Sequence, residues 1–222
     1  LKISKRFINK LYNAARFSIM QLEDFKKPEH YEEADLLPVD RWILQRVNET
    51  TKKATALLER YEIGQARHEI DTLFWRDFCD YYIEIAKERL YQPEKHGAEN
   101  RYSGQIAVYY SLLGILKLYA IYTPYVTEYI YQDFYRKHES ELSLHETQWE
   151  TKKEERIYIE FGEHLKEIIA EVRKSKTEHQ MSMKDSIPEL VITCPKRFRE
   201  FYRKSEKDIK ACTGAENLII RT

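Results

Sequence analysis

The stretch "IAVYYSLLGILKLYAIY", residues 106 to 122, holds a single charge, Lys117. It is shorter than the roughly 20 apolar residues needed to cross a bilayer, and Lys117 interrupts it. A helix that is apolar on nearly every side belongs in a core. The run therefore predicts a central buried helix, from about Tyr102 to Tyr122, ending before Pro124. Gly and Pro number only six each, while Leu, Ile, Glu and Lys are abundant, which favours helices for the rest of the chain.

Helical periodicity supplies the neighbours. A first helix runs from about Ile3 to Leu22, with Ile3, Phe7, Leu11, Ala14, Ala15, Ser18 and Leu22 on one side. Residues 23 to 38 read as a loop around Pro28 and Pro38. A second helix extends from Pro38–Asp40 to about Arg60, with Ile43, Val47, Thr50, Ala54, Leu57 and Leu58 inward. A third spans about Ile63 to Leu90, with Ala66, Ile70, Leu73, Phe74, Tyr81 and Ile85 inward. Pro124 opens a fifth in its first turn, after the buried fourth.

The pattern changes past residues 145 to 152. A helix from about Lys152 to Lys174 places Ile157, Phe161, Leu165, Ile168 and Ile169 on one face. "ELVITC" and "ENLIIR" read as strands, separated by a helix after Pro195. The expected fold is mainly α: a helical bundle over 1–147, then a small helix plus α/β subdomain over 148–222.

Little in the sequence supports a catalytic or metal centre. Cys79, Cys194 and Cys212 are odd in number and far apart, and no Cys-x-x-Cys pair exists. That suggests neither zinc nor a disulfide framework, and it fits a reducing compartment. The seven histidines show no metal-ligand spacing and read as surface or capping residues. Neither a dinucleotide fingerprint nor a phosphate-binding lysine loop is present, and "MSMKD" at 181–185 resembles a nucleotide loop only superficially. Asp77 and Asp80 are a conceivable acid–base pair, but they lie among Arg and Lys, so salt bridging is the favoured reading.

The polar side of the first helix is distinctive. Lys2, Lys5, Arg6, Asn9, Lys10, Asn13, Arg16 and Phe17 form an arc without an acid, in a chain whose 37 basic and 37 acidic residues balance. A nucleic-acid reader of zero net charge needs such a local patch. Arg and Lys hold phosphates, Asn offers both a donor and an acceptor to a base edge, and a ring stacks on an unpaired base. The bland alternatives are that Phe17 packs under the 24–38 loop and Asn13 caps a neighbouring helix. A second basic cluster, Arg173, Lys174 and Lys176, either holds RNA backbone or is a solvated helix end favoured by the helix dipole.

Six segments in order carry a family resemblance. "FINKLYNAARF" resembles the first anticodon-domain helix of the class I aminoacyl-tRNA synthetases of the valine, isoleucine and leucine group, and "DRWILQRVNE" resembles their second-helix motif. "LFWRDFCDYYIEIAKERLY" is most similar to the valyl version. "YTPYVTEYIYQ" resembles a further motif, with Tyr129 in place of a second Glu; so does "SLHETQWE", with Glu150 where Pro is usual. "VRKSKTEHQMSMKDSIPELVI" resembles the basic stretch before the family's small strand unit. The resemblance covers about residues 5–194. It implies an anticodon-binding helical bundle and a tRNA partner, the anticodon stem-loop of valine isoacceptors, with no membrane or DNA role and a cytoplasmic location. Tyrosine-rich helices also leave open a protein-interaction module, and an isoleucyl origin is the close alternative. The family's ATP-binding signatures, editing domain and C-terminal coiled coil are not found. The resemblance therefore implies a catalytically inactive fragment with no cofactor of its own, ATP and Mg belonging to the parent ligase. Taken with the acid-free arc and the basic cluster above, the expected tRNA-contacting residues are Arg6, Asn9, Lys10, Asn13, Arg16 and Phe17, with Arg173, Lys174 and Lys176.

Overall fold

The computed structural model describes residues 2–222, with side chains from Lys5 onward. The expected inward position of Ile3 and outward position of Lys2 lie outside the described residues. The elements run α1 (Lys2–Met20), α2 (Pro38–Glu59), α3 (Ile63–Asp71), a π-helical segment (Thr72–Tyr82), α4 (Ile83–Tyr91), α5 (Pro93–His96), α6 (Ala98–Tyr119), α7 (Pro124–Asp133), α8 (Arg156–Glu178), β1 (Ile187–Thr193), α9 (Arg199–Lys204), α10 (Glu206–Thr213) and β2 (Ala215–Arg221). The fold is mainly α, with a small α/β part at the C-terminal end.

The apolar run does form the central helix. In α6, most residues from Ser103 to Tyr119 are buried, and α2, α4 and α1 pack around it. Its few polar groups are occupied. Gln105 Nε2 donates to Gln21 O and Asp24 Oδ1, both at 2.9 Å, and Lys117 Nζ donates to Gln148 O at 3.2 Å. The loop before α6 contains the short α5, which the sequence reading leaves as coil. No described helix is long and apolar enough to cross a membrane.

The stretch expected as one helix from Ile63 to Leu90 is continuous but not α throughout. Leu73, Phe74, Asp77, Phe78, Tyr81 and Tyr82 are all buried, in pairs that recur every four residues. An α-helix would carry each successive pair about 40° further round its axis. The wider π-helical winding keeps them facing one core, where Phe74 meets Phe7 and Tyr119 edge-on.

Helix α8 packs across α2. Gly162 sits against the Trp42 indole so closely that a Cβ there would overlap the ring. Phe161, Leu165 and Ile169 are buried as expected, whereas Ile157, in the first turn beyond the contact, is exposed. The strands pair in parallel, from Ile187 beside Ala215 to Thr193 beside Arg221, with α9 and α10 as the crossover. Gly214 ends α10 at φ +74°, the left-handed cap position that suits glycine. One apolar cluster runs from Phe7 in α1 to Ile209 in α10, so residues 1–147 and 148–222 share a core.

Candidate nucleic-acid interface

Helix α1 packs on α6 and α7 and reaches the π-helical segment and α4 through a few side chains. Phe7 touches Phe74, Lys10 Nζ sits 5.4 Å from the centre of the Trp75 ring, and Phe17 meets Tyr91 edge-on at 5.6 Å. Its buried stripe is Phe7, Leu11, Ala15 and Ser18, as periodicity requires. The opposite arc stays outside: Arg6, Asn9, Asn13 and Arg16 are exposed, and Lys10 and Phe17 are half-buried. Within the described residues, Arg6, Asn9, Asn13 and Arg16 form no ion pair and no side-chain hydrogen bond. Their donors and acceptors face solvent. Phe17 packs on Tyr91, not under the 24–38 loop.

The second basic cluster divides three ways. Arg173 is half-buried over the Tyr81 ring, 4.9 Å from its centre, and donates to Asp80 O at 2.9 Å. Lys174 is exposed, with only a loose pairing to Glu178 at 3.9 Å. Lys176 is buried, and its ammonium donates to Met183 O at 3.1 Å and Asp185 O at 2.5 Å. The spent charge of Lys176 holds the 181–185 turn closed under α8. That is a structural occupation, and it keeps this cation away from solvent. The turn also closes on itself, Ser182 N donating to Asp185 Oδ2 at 2.7 Å.

One residue of the first cluster, Lys10, and two of the second, Arg173 and Lys176, line one groove of about 1000 Å³. Lys10 lines it from α1 and Arg173 from α8, with Trp75, Arg76 and Lys87 between them and Lys184 at the far end. Asp80 and Glu84 are the acids on its wall, and Glu84 is paired with Lys87. Cys79 and Cys212 also line it, and burial pushes both thiols up to about 12, so neither supplies a thiolate. The groove thus presents rings beside cations, without a nucleophile. Trp75, Arg76 and Lys87 are groove residues that the sequence reading passes over, as is Tyr91 beside Phe17. The signal was present in "FWRDFCD", where Trp75 and Arg76 fall outside the buried four-residue pattern.

Asp77 and Asp80 are not an acid–base pair. Asp77 is fully buried, bonded to Arg46 Nε at 2.8 Å and Lys166 Nζ at 2.6 Å, whereas Asp80 is exposed. One histidine departs from the surface reading: His96 is buried between Glu88, at 2.9 Å, and Asp208, at 3.6 Å. It belongs to a cluster in which Asp40 accepts from Arg89, Tyr82 and Ser103.

The sequence profile of the anticodon-binding domain of tRNA ligases matches residues 40–192. Valine–tRNA ligases are similar over a wider span. That of Pyrococcus furiosus is 34% identical over 218 residues, which is 97% of this chain and 24% of the relative. That of Rickettsia felis is 34% identical over 229 residues, covering 98% and 26%. That of Aquifex aeolicus is 36% identical over 195 residues, covering 82% and 16%. The chain spans about a quarter of the length of the first two. The profile begins at the buried Asp40 of α2, whereas the alignment over 97% of the chain takes in most of α1. With a helical bundle, a ring-and-cation groove and these matches agreeing, the chain belongs to the family of anticodon-binding domains of tRNA ligases.

Proposed function

We infer that this chain is the anticodon-reading part of a cytoplasmic valine–tRNA ligase, a longer enzyme that joins valine to its tRNA with ATP. The observation that supports it best is the groove where Lys10 of the α1 arc lies over the half-buried Trp75 ring and Arg173 of α8 over the Tyr81 ring. Single-stranded loops are read by stacking splayed bases on rings and bonding their edges. Phe17 with Tyr91, and Trp75 in the groove, are assigned as the stacking surfaces. Asn9 and Asn13 take base edges. Arg6, Lys10, Arg16, Arg173 and Lys174 take phosphates, and Lys176 is left to its turn. The partner is the anticodon stem-loop of valine isoacceptors; no membrane or DNA contact is assigned. The relatives named above are valine–tRNA ligases, which favours a valyl over an isoleucyl reading. ATP and magnesium are assigned to the remainder of the longer enzyme, and no residue here is assigned to hold them.

The test titrates the chain with an RNA hairpin carrying a valine anticodon and with the same hairpin after an anticodon swap. Phe17→Ala should cost about 1–3 kcal/mol of binding as a stacking surface is lost. Asn13→Ala should reduce discrimination between the hairpins by about 1 kcal/mol. Arg16→Ala should weaken both equally and make the salt slope shallower by about 1. Unchanged affinity and discrimination in all three variants would take the site off α1.

A further inference from the structure

The whole chain has no net charge, yet the segment "PKRFREFYRKSEKDIK", residues 195 to 210, holds seven Lys and Arg against three acids. Neither the groove nor the core accounts for that excess. Helices α9 and α10 turn it into a surface. Arg203, Lys204, Lys207 and Lys210 line one open concavity of about 780 Å³, together with Lys95 from α5. Lys207 Nζ donates to Lys95 O at 3.0 Å, which draws the two elements together. Lys204, Lys207 and Lys210 make no ion pair within the described residues, and Arg203 is only loosely paired with Glu200, at 3.8 Å. The acids in the wall are mostly taken: Glu88 by Lys95 and His96, and Asp208 by burial opposite Arg89. Of the acids that line the concavity, Glu206 alone is partly exposed and without an ion pair among the described residues.

The concavity differs from the groove in one chemical respect. Its lining contains no Phe, Tyr or Trp, and its imidazole, His96, is buried. It offers charge with nothing for an unpaired base to stack on. A nucleic-acid duplex fits that chemistry, since its bases are stacked inside and its phosphates face out. The two depressions are also adjacent. Ala211 of α10 lines both, so α10 is the low ridge between them, with Lys184 and Lys87 on the groove side and Lys207 and Lys210 on the other.

Resting on the proposed reading of the groove, we propose that the α9–α10 concavity binds the phosphate backbone of a double-helical stem of the same RNA whose loop enters the groove. This second contact carries affinity without sequence information, because phosphate contacts position a nucleic acid but do not read it. It also gives the C-terminal α/β unit a role in RNA binding.

The test compares the wild-type chain with the triple variant Lys204→Gln, Lys207→Gln, Lys210→Gln and with the charge-keeping triple variant to Arg. Each is titrated with a full-length valine tRNA transcript and its anticodon-swapped form, over a salt series and beside a melting curve. The Gln variant should bind both transcripts more weakly by on the order of tenfold, with a salt slope shallower by about 2–3. Its discrimination between the two should equal wild type, and the Arg variant should bind like wild type. Wild-type affinity and slope in the Gln variant would overturn the proposal while leaving the groove reading intact. So would a loss confined to one anticodon, or an equal loss in the Arg variant. A wild-type chain that binds neither transcript would overturn the groove reading, and this inference with it.

Discussion

Gly162 has no side chain because the Trp42 indole occupies the place where one would be. Gly162→Ala therefore forces α8 away from α2 and should cost about 1–3 kcal/mol or more, read as a lower urea midpoint. Lys176 makes a different point. Its charge is buried and shared between the carbonyls of Met183 and Asp185. Lys176→Met removes that pairing and should lower stability by about 1.5–3 kcal/mol, given charge-assisted bonds of this kind. The salt slope of RNA binding should stay where it was; a shallower slope would return Lys176 to the RNA contacts. At this scale the sequence is legible only in part. Arg173, Lys174 and Lys176 look alike as letters in one basic run. Their fates differ because each step of about 100° along α8 turns a side chain toward the Tyr81 ring, toward solvent or onto the 181–185 turn.

The π-helical segment links the groove to the core. Its inward residues recur every four positions, and Asp77 is the polar one among them. Asp77 bonds Arg46 of α2 and Lys166 of α8, so one carboxylate fixes three helices. Asp77→Ala leaves both cations buried without it and should destabilise the chain by about 3–5 kcal/mol in urea unfolding. A change under 1 kcal/mol would mean that the pair adds nothing net. The helical identity of residues 63–90 was legible from spacing, as were α1, α2 and α6. The winding was not, although Leu73, Phe74, Phe78, Tyr81 and Tyr82 already spell a period longer than 3.6. The groove escaped for a related reason: it is built by α1, the π-helical segment, α8 and α10 together, and no periodicity within one helix reports what lies across from it.

Across the whole molecule, the most buried charges sit where the bundle meets the C-terminal unit. Arg89 of α4 is fully buried, held by Asp40 of α2 and 2.9 Å from Asp208 of α10, although its Nε–H is not aligned for a hydrogen bond there. Burial, opposed by Arg89, pushes the Asp208 carboxyl up to about 6. A carboxyl raised in the folded state favours folding in its protonated form. That contribution is complete below its ordinary value of 3.8 and is lost as pH rises to about 6. Asp208→Asn removes the titration. Wild-type stability relative to the variant should therefore fall between pH 4 and 6 and then level off, measured by urea midpoints at successive pH values. A constant difference would mean that Asp208 titrates normally. Among the described residues, strands appear only past residue 186, where the sequence pattern changes to strand, helix, strand. What composition could not report is the shared core, because Trp42, Asp77 and Arg89 find their partners through positions that no local pattern ties to them.

That shared core has a consequence for how the chain is made. Domains emerge from the ribosome N-terminal end first. When α1 to α7 are already outside, Gly162, Lys166 and Asp208 have yet to be added. The bundle then waits with the Trp42 indole uncovered, Asp77 held by Arg46 alone and Arg89 held by Asp40 and Asn100 without Asp208. The arrival of α8 and α10 therefore sets how long the nascent bundle presents this uncovered apolar surface.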